Sequence, residues 1–166
     1  MYQLLRNKLN TKGLVEAIEH LPYKPVPKWL GDFQFKMFGQ AYGRHYGHTS
    51  GRLREAVVEL AWIKPRQTFT TVFVQRYKQG QQVLPHRDPK NNVGHTIIGV
   101  LGDFEGASTY MALGGGDVDG GTLSFKLNSG DVLVLPCTID GKQGPMHWVE
   151  PVTSGTRYAI ILNTIT

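Results

Sequence analysis

The chain of 166 residues is long enough for one domain that buries its own hydrophobic core. Hydrophobic residues make up 40% and charged residues 19%, and no apolar stretch approaches the roughly 20 residues that a membrane-spanning helix requires, which excludes a membrane protein. The net charge of +5 suits a polyanionic partner, although a surplus of this size also serves solubility alone.

The amino-terminal segment predicts a location and a first helix. Residues 1–13 contain basic residues but no apolar core of signal-peptide length, so we expect a cytoplasmic protein, or one in the host-cell cytoplasm if the source is viral. Residues 11–20 predict a short helix that Thr11 caps and that ends at Pro22. Its apolar side comprises Leu14, Val15, Ile18 and Leu21.

Residues 22–50 mix prolines, glycines and aromatic residues without a clean period, so they predict strands and loops. A second helix is predicted from Ser50 to Ala61, with Ser50 as its cap and an apolar face of Leu53, Val57 and Leu60. We therefore expect residues 1–67 to form a helical and extended region, used for substrate handling.

From Thr68 onward the sequence consists of short β-branched runs separated by glycine clusters: TFTTVFVQRY, HTIIGVL, STYMAL, GTLSFKL, DVLVLP, MHWV and RYAIILNT. Such runs without intervening helices predict a sandwich or barrel, and residues 114–121 (GGGDVDGG) predict a flexible turn. The whole chain thus predicts one mainly β domain with N-terminal helices (α+β), and we expect a monomer.

The clearest chemical signal is His86-Arg87-Asp88. Residues two apart on an extended strand face the same side, so His86 and Asp88 can present an imidazole and a carboxylate to one metal ion. His147 lies in a later β run, which in a closed β fold can return beside an earlier one. Two histidines and a carboxylate are typical of non-haem iron(II), with zinc in a hydrolase as the competing interpretation. Cys137 is the single cysteine, which excludes an internal disulfide and a cysteine-rich zinc site.

Arg157 follows His147 by ten residues and opens the last apolar run. A planar guanidinium there could bind the far carboxylate of a dicarboxylic acid through two hydrogen bonds. Taken alone, Arg157 also fits a surface charge at the end of a strand. Its combination with the HxD pair and a distal histidine predicts a metal site beside a site for an organic acid.

With these residues in place, residues 68–166 resemble the double-stranded β-helix (jelly-roll) core of iron(II)- and 2-oxoglutarate-dependent oxygenases. The stretch VQRYKQGQQVLPHRD is similar to AlkB-like enzymes, and LNSGDVLVLP with the later HWVEPV is similar to the final strands of that superfamily. The resemblance implies O₂ as a substrate, ascorbate as an aid, and the following roles: iron(II) ligation by His86, Asp88 and His147, and 2-oxoglutarate binding by Arg157 and Tyr77. Packing within a sheet is the alternative role for Tyr77.

The stretch HRDPKNNVGHTIIGVL resembles the ten-eleven translocation and J-binding proteins, which oxidise the methyl group of 5-methylcytosine or thymine in DNA. In the cytosine-oxidising members an asparagine three residues after the metal-binding aspartate hydrogen-bonds the base, and the matching residue is Asn91. An amide offers donors and acceptors to the edge of a base, although a turn-forming asparagine is the alternative. The resemblance implies a DNA dioxygenase that acts on a flipped base.

A flipped nucleotide needs contacts to its phosphates and a stacking partner. Basic and aromatic residues alternate over residues 39–54, which would supply phosphate contacts by Arg44, Arg52 and Arg54 and stacking by Tyr42, His45 or Tyr46. A solvated loop that leads into a helix is the alternative for this stretch. His95 is a further candidate beside the pocket, with a structural role as its alternative.

Two positions depart from the related families. Asn163 stands where AlkB-like repair enzymes carry a second arginine, and Ala159 stands where the cytosine-oxidising group often carries a serine. Other hypotheses therefore stay open. They are a prolyl-hydroxylase-like peptide hydroxylase, an AlkB-like or thymine-oxidising enzyme, an oxygenase of free nucleotides or metabolites, and a non-catalytic DNA-binding β-sandwich.

Overall fold

The computed structural model describes residues 2–112, 121–139 and 141–166. The helices are α1 (Leu14–Ile18) and α2 (Gly51–Ala61). The strands are β1 (Gln3–Leu5), β2 (Lys24–Pro25), β3 (Gly31–Asp32), β4 (Gln34–Ala41), β5 (Arg44–His45), β6 (Thr71–Tyr77), β7 (Gln82–His86), β8 (His95–Leu101), β9 (Phe104–Gly106), β10 (Thr109–Ala112), β11 (Thr122–Phe125), β12 (Val132–Pro136), β13 (Thr138–Ile139), β14 (Lys142–Gln143), β15 (His147–Val149), β16 (Val152–Gly155) and β17 (Arg157–Asn163). Apart from Gly121, the predicted glycine-rich turn lies outside the described residues.

Two antiparallel sheets form the body of the molecule. The larger has the strand order β1-β12-β8-β17-β6-β4-β2, with β5 paired to β4, and the smaller has the order β11-β10-β15-β7-β3. Side chains from both sheets share one apolar cluster that includes Tyr77 of the larger sheet and Val83 of the smaller. Each of the seven β runs contains a strand. The architecture is mainly β with two N-terminal helices, which confirms the predicted fold class.

The first 67 residues are built into both sheets. Strand β1 pairs with β12 and β4 pairs with β6 in the larger sheet, while β3 pairs with β7 in the smaller. The close approach of β3 to β7 requires a glycine, because a Cβ at Gly31 would lie 2.4 Å from the carbonyl oxygen of Gln82. The N-terminal region therefore extends the core sheets, and its use in substrate handling stays a prediction.

Both predicted helices exist, but neither has a side-chain capping hydrogen bond. Helix α1 begins after Gly13, whose φ of 69° is left-handed, and Thr11 contributes only its carbonyl oxygen, 3.0 Å from the amide nitrogen of Leu14. Ser50 occupies the N-cap position of α2 without a side-chain capping hydrogen bond. The Thr11 cap was wrong because Gly13 is the N-cap of α1, whereas Ser50 is the predicted N-cap of α2 without the capping bond from its hydroxyl. In the described part of the chain, no helix has the length and apolar character that crossing a bilayer demands.

The larger sheet is covered on both faces, which explains why β17 is apolar at nearly every position. On β6 and β17 alternate residues, such as Val74 and Ile160, pack against the helices in a core that includes Leu14 and Leu60. The intervening residues, such as Ala159, face the smaller sheet. Because side chains alternate along each strand, one face of the larger sheet packs against the helices and the other face lines a cavity.

Candidate metal centre and organic-acid pocket

A cavity of about 380 Å³ lies between the two sheets. Alternate residues of β17, from Arg157 through Ala159 and Ile161 to Asn163, form a continuous part of its lining. His86 and His147 line the same cavity from the smaller sheet. A single space therefore joins the predicted metal ligands to the predicted acid-binding arginine.

The three predicted metal ligands converge although they are far apart in sequence. His86 ends β7 and His147 begins β15, and these residues face one another in the antiparallel register. Asp88 Oδ1 lies 3.7 Å from His86 Nε2 and 3.6 Å from His147 Nε2. The candidate ligand atoms all lie within 4.8 Å of one another. One metal ion could therefore be bound by all three side chains.

Asp88 lies in the segment that follows β7, and hydrogen bonds around that segment hold it beside the two histidines. It lies two residues beyond His86, where β7 has already ended. The side-chain amide of Gln143 donates to the Asp88 carbonyl oxygen at 2.5 Å, and the turn that follows closes with a 3.0 Å bond from Asn92 N to Pro89 O. Asp88 thus lies just beyond the strand that carries His86, and the two side chains meet as expected for one metal ion.

Backbone carbonyls set the orientation of both imidazoles. The Nδ1 atoms of His86 and His147 lie 2.9 Å from the carbonyl oxygens of Leu84 and Pro145, respectively. Because Nδ1 donates its proton there, the Nε2 lone pair of each ring faces the metal position. Burial lowers the pKa of His86, and nearby His147 lowers it further. The neutral form that a metal requires is thereby favoured at His86.

Arg157 is a buried cation without an acidic partner. Its residue is 2% exposed, its guanidinium carbon lies 4.9 Å from the centre of the Tyr77 ring, and its Nε has no hydrogen-bond partner. No acidic side chain forms a salt bridge with it in the described residues. Burial lowers the pKa of Arg157, because a guanidinium without water is costly to keep charged. An anionic ligand would remove this cost, and a dicarboxylate fits the requirement.

Tyr77 lies directly opposite Arg157 in the pairing of β6 with β17. Its residue is 1% exposed, its hydroxyl donates to Gln75 Oε1, and its ring packs at 4.7 Å from that of Phe33. Burial raises the pKa of Tyr77, so the phenol is neutral. The geometry shows the packing role of Tyr77, and its contact with 2-oxoglutarate stays a prediction.

Three buried polar atoms without hydrogen-bond partners belong to residues that line this cavity. They are Asn92 Oδ1, Thr109 Oγ1 and Arg157 Nε. Buried polar atoms in native proteins are nearly always hydrogen-bonded, so ordered water or a polar ligand is expected at these three atoms. Sequence reasoning missed Asn92 and Thr109. Both lie in β-paired segments where only tertiary structure shows which side faces inward.

Two other predicted residues lie outside the lining of the cavity. The Asn91 Nδ2 lies 3.5 Å from the Thr166 carbonyl oxygen, so this side chain is directed to the C-terminal segment. His95 begins β8 with burial lowering its pKa, but its neighbour Thr96 lines the cavity instead. Substrate contacts by Asn91 and His95 stay predictions that the geometry of the cavity does not support.

Two exposed aromatic residues stand at the mouth of the cavity. Trp29 is 69% exposed and Tyr42 is 62% exposed, and both contribute to its lining. Tyr42 and Gly43 form the two-residue turn between β4 and β5, where Tyr42 adopts an unusual φ of 53°. A hairpin turn of this kind normally favours asparagine at that position, so Tyr42 is placed there against the local preference.

Some of the remaining residues predicted to contact nucleic acid are exposed, and others are engaged in contacts within the protein. Arg44 and Arg54 are exposed, whereas Arg52 donates to the carbonyl oxygens of Lys12 at 2.8 Å and Asn10 at 2.5 Å. The guanidinium of Arg52 therefore ties α2 to the N-terminal segment. His45 and Tyr46 lie on the hairpin beyond the mouth, and neither lines the cavity. Of the predicted stacking residues, the structure brings only Tyr42 to it.

Comparison with known proteins gives a match at the level of structure. No family model and no curated protein sequence matches the chain. An oxidoreductase of the 2OG-Fe(II) oxygenase family from Burkholderia pseudomallei aligns with a TM-score of 0.70 at 15% identity, covering 98% of this chain and 84% of that one. The viral collagen prolyl hydroxylase of Paramecium bursaria chlorella virus 1, solved with 2-oxoglutarate, gives 0.68 at 17% identity, with coverages of 98% and 94%. OsALKBH1 gives 0.67 at 14%, with 98% and 97%.

At these identities the likeness shows the fold, which is the double-stranded β-helix of 2-oxoglutarate- and iron(II)-dependent oxygenases. The donor set of His86, Asp88 and His147 is itself compatible with iron(II).

Proposed function

We propose that this chain is an iron(II)- and 2-oxoglutarate-dependent oxygenase. The observation that carries the proposal is one cavity that contains both a His86–Asp88–His147 group and the buried guanidinium of Arg157, which has no acidic partner among the described residues. A zinc hydrolase accounts for the metal group alone, whereas a co-substrate with a second carboxylate also accounts for the buried guanidinium beside it. The fold shared with 2-oxoglutarate oxygenases supports the same assignment.

The residues that line the cavity have different proposed roles in binding the metal, the co-substrate and the substrate. Iron(II) bound there would, with O₂ and 2-oxoglutarate, convert a substrate C–H bond to C–OH. In the same reaction 2-oxoglutarate becomes succinate and carbon dioxide. The two histidines bind metal through Nε2, because their Nδ1 protons are held by backbone carbonyls. Arg157 binds the far carboxylate of 2-oxoglutarate, and Tyr77 packs against the guanidinium and fixes its position. Apolar side chains such as Val83 and Ile161 restrict the access of water.

For the substrate we propose a methylated base in a nucleic acid. The net charge of +5, the exposed Arg44 and the exposed rings of Trp29 and Tyr42 at the mouth support a polyanion with stacking bases. Within this class 5-methylcytosine in DNA is the specific hypothesis from the sequence motif. Since Asn91 lies outside the cavity, that choice of base depends on the sequence resemblance alone, and the likeness to OsALKBH1 supports the broader AlkB-like class.

A peptide side chain is the second candidate substrate. The likeness to a collagen prolyl hydroxylase favours it, as does the ten-residue spacing from His147 to Arg157. An apolar mouth lined by Trp29, Leu30 and Phe35 would accept a prolyl ring as readily as a base. The two candidates differ in charge, since strong loss of binding between about 50 and 200 mM salt is expected for a nucleic acid only.

The test is mass spectrometry of products after incubation with iron(II), 2-oxoglutarate, ascorbate and O₂. One set of reactions contains duplex DNA with 5-methylcytosine or with unmodified cytosine, and another contains a proline-rich peptide. We expect succinate together with 5-hydroxymethylcytosine in the methylated DNA alone. Hydroxyproline with no oxidised base would move the assignment to the second candidate. Iron-loaded protein that forms no succinate under any condition would overturn the oxygenase proposal.

A further inference from the structure

The short segment after the metal-binding Asp88 has two asparagines that face opposite ways. Asn92 forms an antiparallel bridge with Ile165, and the carbonyl oxygen of Asn91 accepts a 2.9 Å bond from the Thr166 amide. Side chains alternate across extended segments of this kind. Asn92 and Ile165 consequently line the cavity, while Val93, next along the chain, is 38% exposed.

Asn92 lines the cavity and has a buried hydrogen-bond acceptor that is not used within the described part of the protein. The residue is 6% exposed, and its Oδ1 has no partner in the described residues. A buried acceptor left without a donor costs about 1–3 kcal/mol, so a ligand that brings an N–H or O–H would be stabilised here. A carboxylate of 2-oxoglutarate has no proton to donate and cannot satisfy this atom. The hydrogen-bond donor that pairs with Asn92 Oδ1 therefore belongs to a molecule other than 2-oxoglutarate.

Asn163 places a complementary donor nearby. It is also 6% exposed, and its Oδ1 accepts a 2.7 Å hydrogen bond from Thr96 Oγ1, which in turn lies 3.5 Å from Cys137 Sγ. Because Thr96 engages the oxygen, the Nδ2 of Asn163 is the amide group left to serve the cavity. Asn163 lies two residues before Ile165, the partner of Asn92, so the two amides are diagonal neighbours on one face.

We infer that Asn92 and Asn163 together recognise the substrate. Asn92 Oδ1 accepts a hydrogen bond from an N–H group of the substrate, and Asn163 Nδ2 donates a hydrogen bond to an acceptor on the same molecule. The pairing edge of a nucleobase offers a donor and an acceptor on adjacent atoms of one rigid plane. A prolyl side chain offers neither. The inference depends on the proposed oxygenase function and assigns a nucleobase, rather than a peptide side chain, as its substrate class.

The test compares Asn92→Ala with Asn91→Ala, a matched change of the same amide one residue away. The substrate is duplex DNA with one methylated base, either 5-methylcytosine or thymine, and the readout is kcat/KM for each base together with KM for 2-oxoglutarate. We expect Asn92→Ala to lower kcat/KM for the preferred base by about 10- to 100-fold and to shrink the preference between bases. KM for 2-oxoglutarate and iron content stay unchanged, and Asn128→Ala, an exposed asparagine that does not line the cavity, is the control that behaves as wild type. Asn91→Ala tests the rival assignment of base recognition that the sequence motif makes.

A second variant covers the case in which Asn92→Ala fails to fold. Thr96→Val preserves the shape of the side chain but removes the hydroxyl that orients the Asn163 amide. We expect it to shrink the preference between bases by about 3- to 10-fold, because the amide can then rotate.

The outcomes separate this inference from the proposed function. Equal loss toward both bases, loss of preference in Asn91→Ala alone, or a raised KM for 2-oxoglutarate in Asn92→Ala would overturn the reading role while the oxygenase assignment stands. Oxidation of a prolyl peptide by the wild-type protein would also overturn it. Absence of succinate formation by iron-loaded wild type would instead remove the proposed function itself.

Discussion

The walls of the cavity and its mouth are held in place by different means. The walls carry His147 and Arg157 on paired strands of two sheets, with Arg157 only 2% exposed. The mouth carries Trp29 and Tyr42 on connecting segments, where both rings are mostly exposed. Sheet pairing therefore fixes the groups proposed for chemistry, while the groups proposed for substrate contact are free to differ without disturbing them. Changes in the two regions should have separable effects.

Loss of a metal ligand should have the largest effect. His86→Ala removes one of three converging ligands, so we expect iron(II) content to fall below half and succinate formation to fall by at least roughly 1000-fold. Metal analysis and a succinate assay measure the two effects. His20→Ala is the matched control, because the His20 side chain is 89% exposed and lies outside the cavity. Wild-type succinate formation by His86→Ala would contradict the assignment of the metal centre.

Replacement of the buried cation should come next. Arg157→Met removes two charge-assisted hydrogen bonds to 2-oxoglutarate, so we expect KM for the co-substrate to rise by roughly 100-fold with iron content unchanged. The free energy of unfolding without ligand should stay equal or increase, because an unpaired buried charge is replaced by an apolar side chain. Thermal melts with and without 2-oxoglutarate check both points, and exposed Arg54→Met is the control. An unchanged KM would contradict the proposed role.

Substitutions at the mouth of the cavity should weaken substrate binding without changing the binding of iron(II) or 2-oxoglutarate. Trp29→Ala removes a stacking surface that is worth about 1–3 kcal/mol per base, so we expect binding of single-stranded DNA to weaken by about 5- to 100-fold. Iron(II) content and KM for 2-oxoglutarate should not change. Trp62→Ala is the matched control, since Trp62 is 72% exposed at the end of α2 and does not line the cavity. Equal weakening by both variants would mean that the mouth has no special role.

The smallest effect concerns the strained hairpin. Tyr42→Asn places Asn-Gly in a turn whose residues 42 and 43 have φ of 53° and 73°. This is the preferred sequence for such a turn, so we expect unfolding to require about 1 kcal/mol more and Tm to rise by about 2–4 °C. Binding of DNA should weaken at the same time. A variant that is more stable and binds as well as wild type would show that Tyr42 has no part in recognition.

The sequence predicted those features that depend on local pattern or on residue type. Alternating β-branched runs gave seven strands, and the periodicity of residues 50–61 gave α2. The identities of His86, Asp88 and His147 limited the metal donors to nitrogen and oxygen. The same local reasoning failed for the Thr11 cap and for a capping bond from the Ser50 hydroxyl, because the backbone conformation that decides whether a side chain reaches a helix end is not visible in the sequence.

What the sequence determined by itself is the mainly β character, the donor set and the candidate cation Arg157, since each follows from residue types at fixed spacings. Only the tertiary structure decided that His86 lies opposite His147, that Arg157 has no acidic partner in the described residues, and that Asn92 rather than Asn91 faces the cavity. The reason is register. Shifting a strand by one residue exchanges its two faces, and the pairing of residues 91–93 with residues 164–166 is a contact between distant parts of the chain.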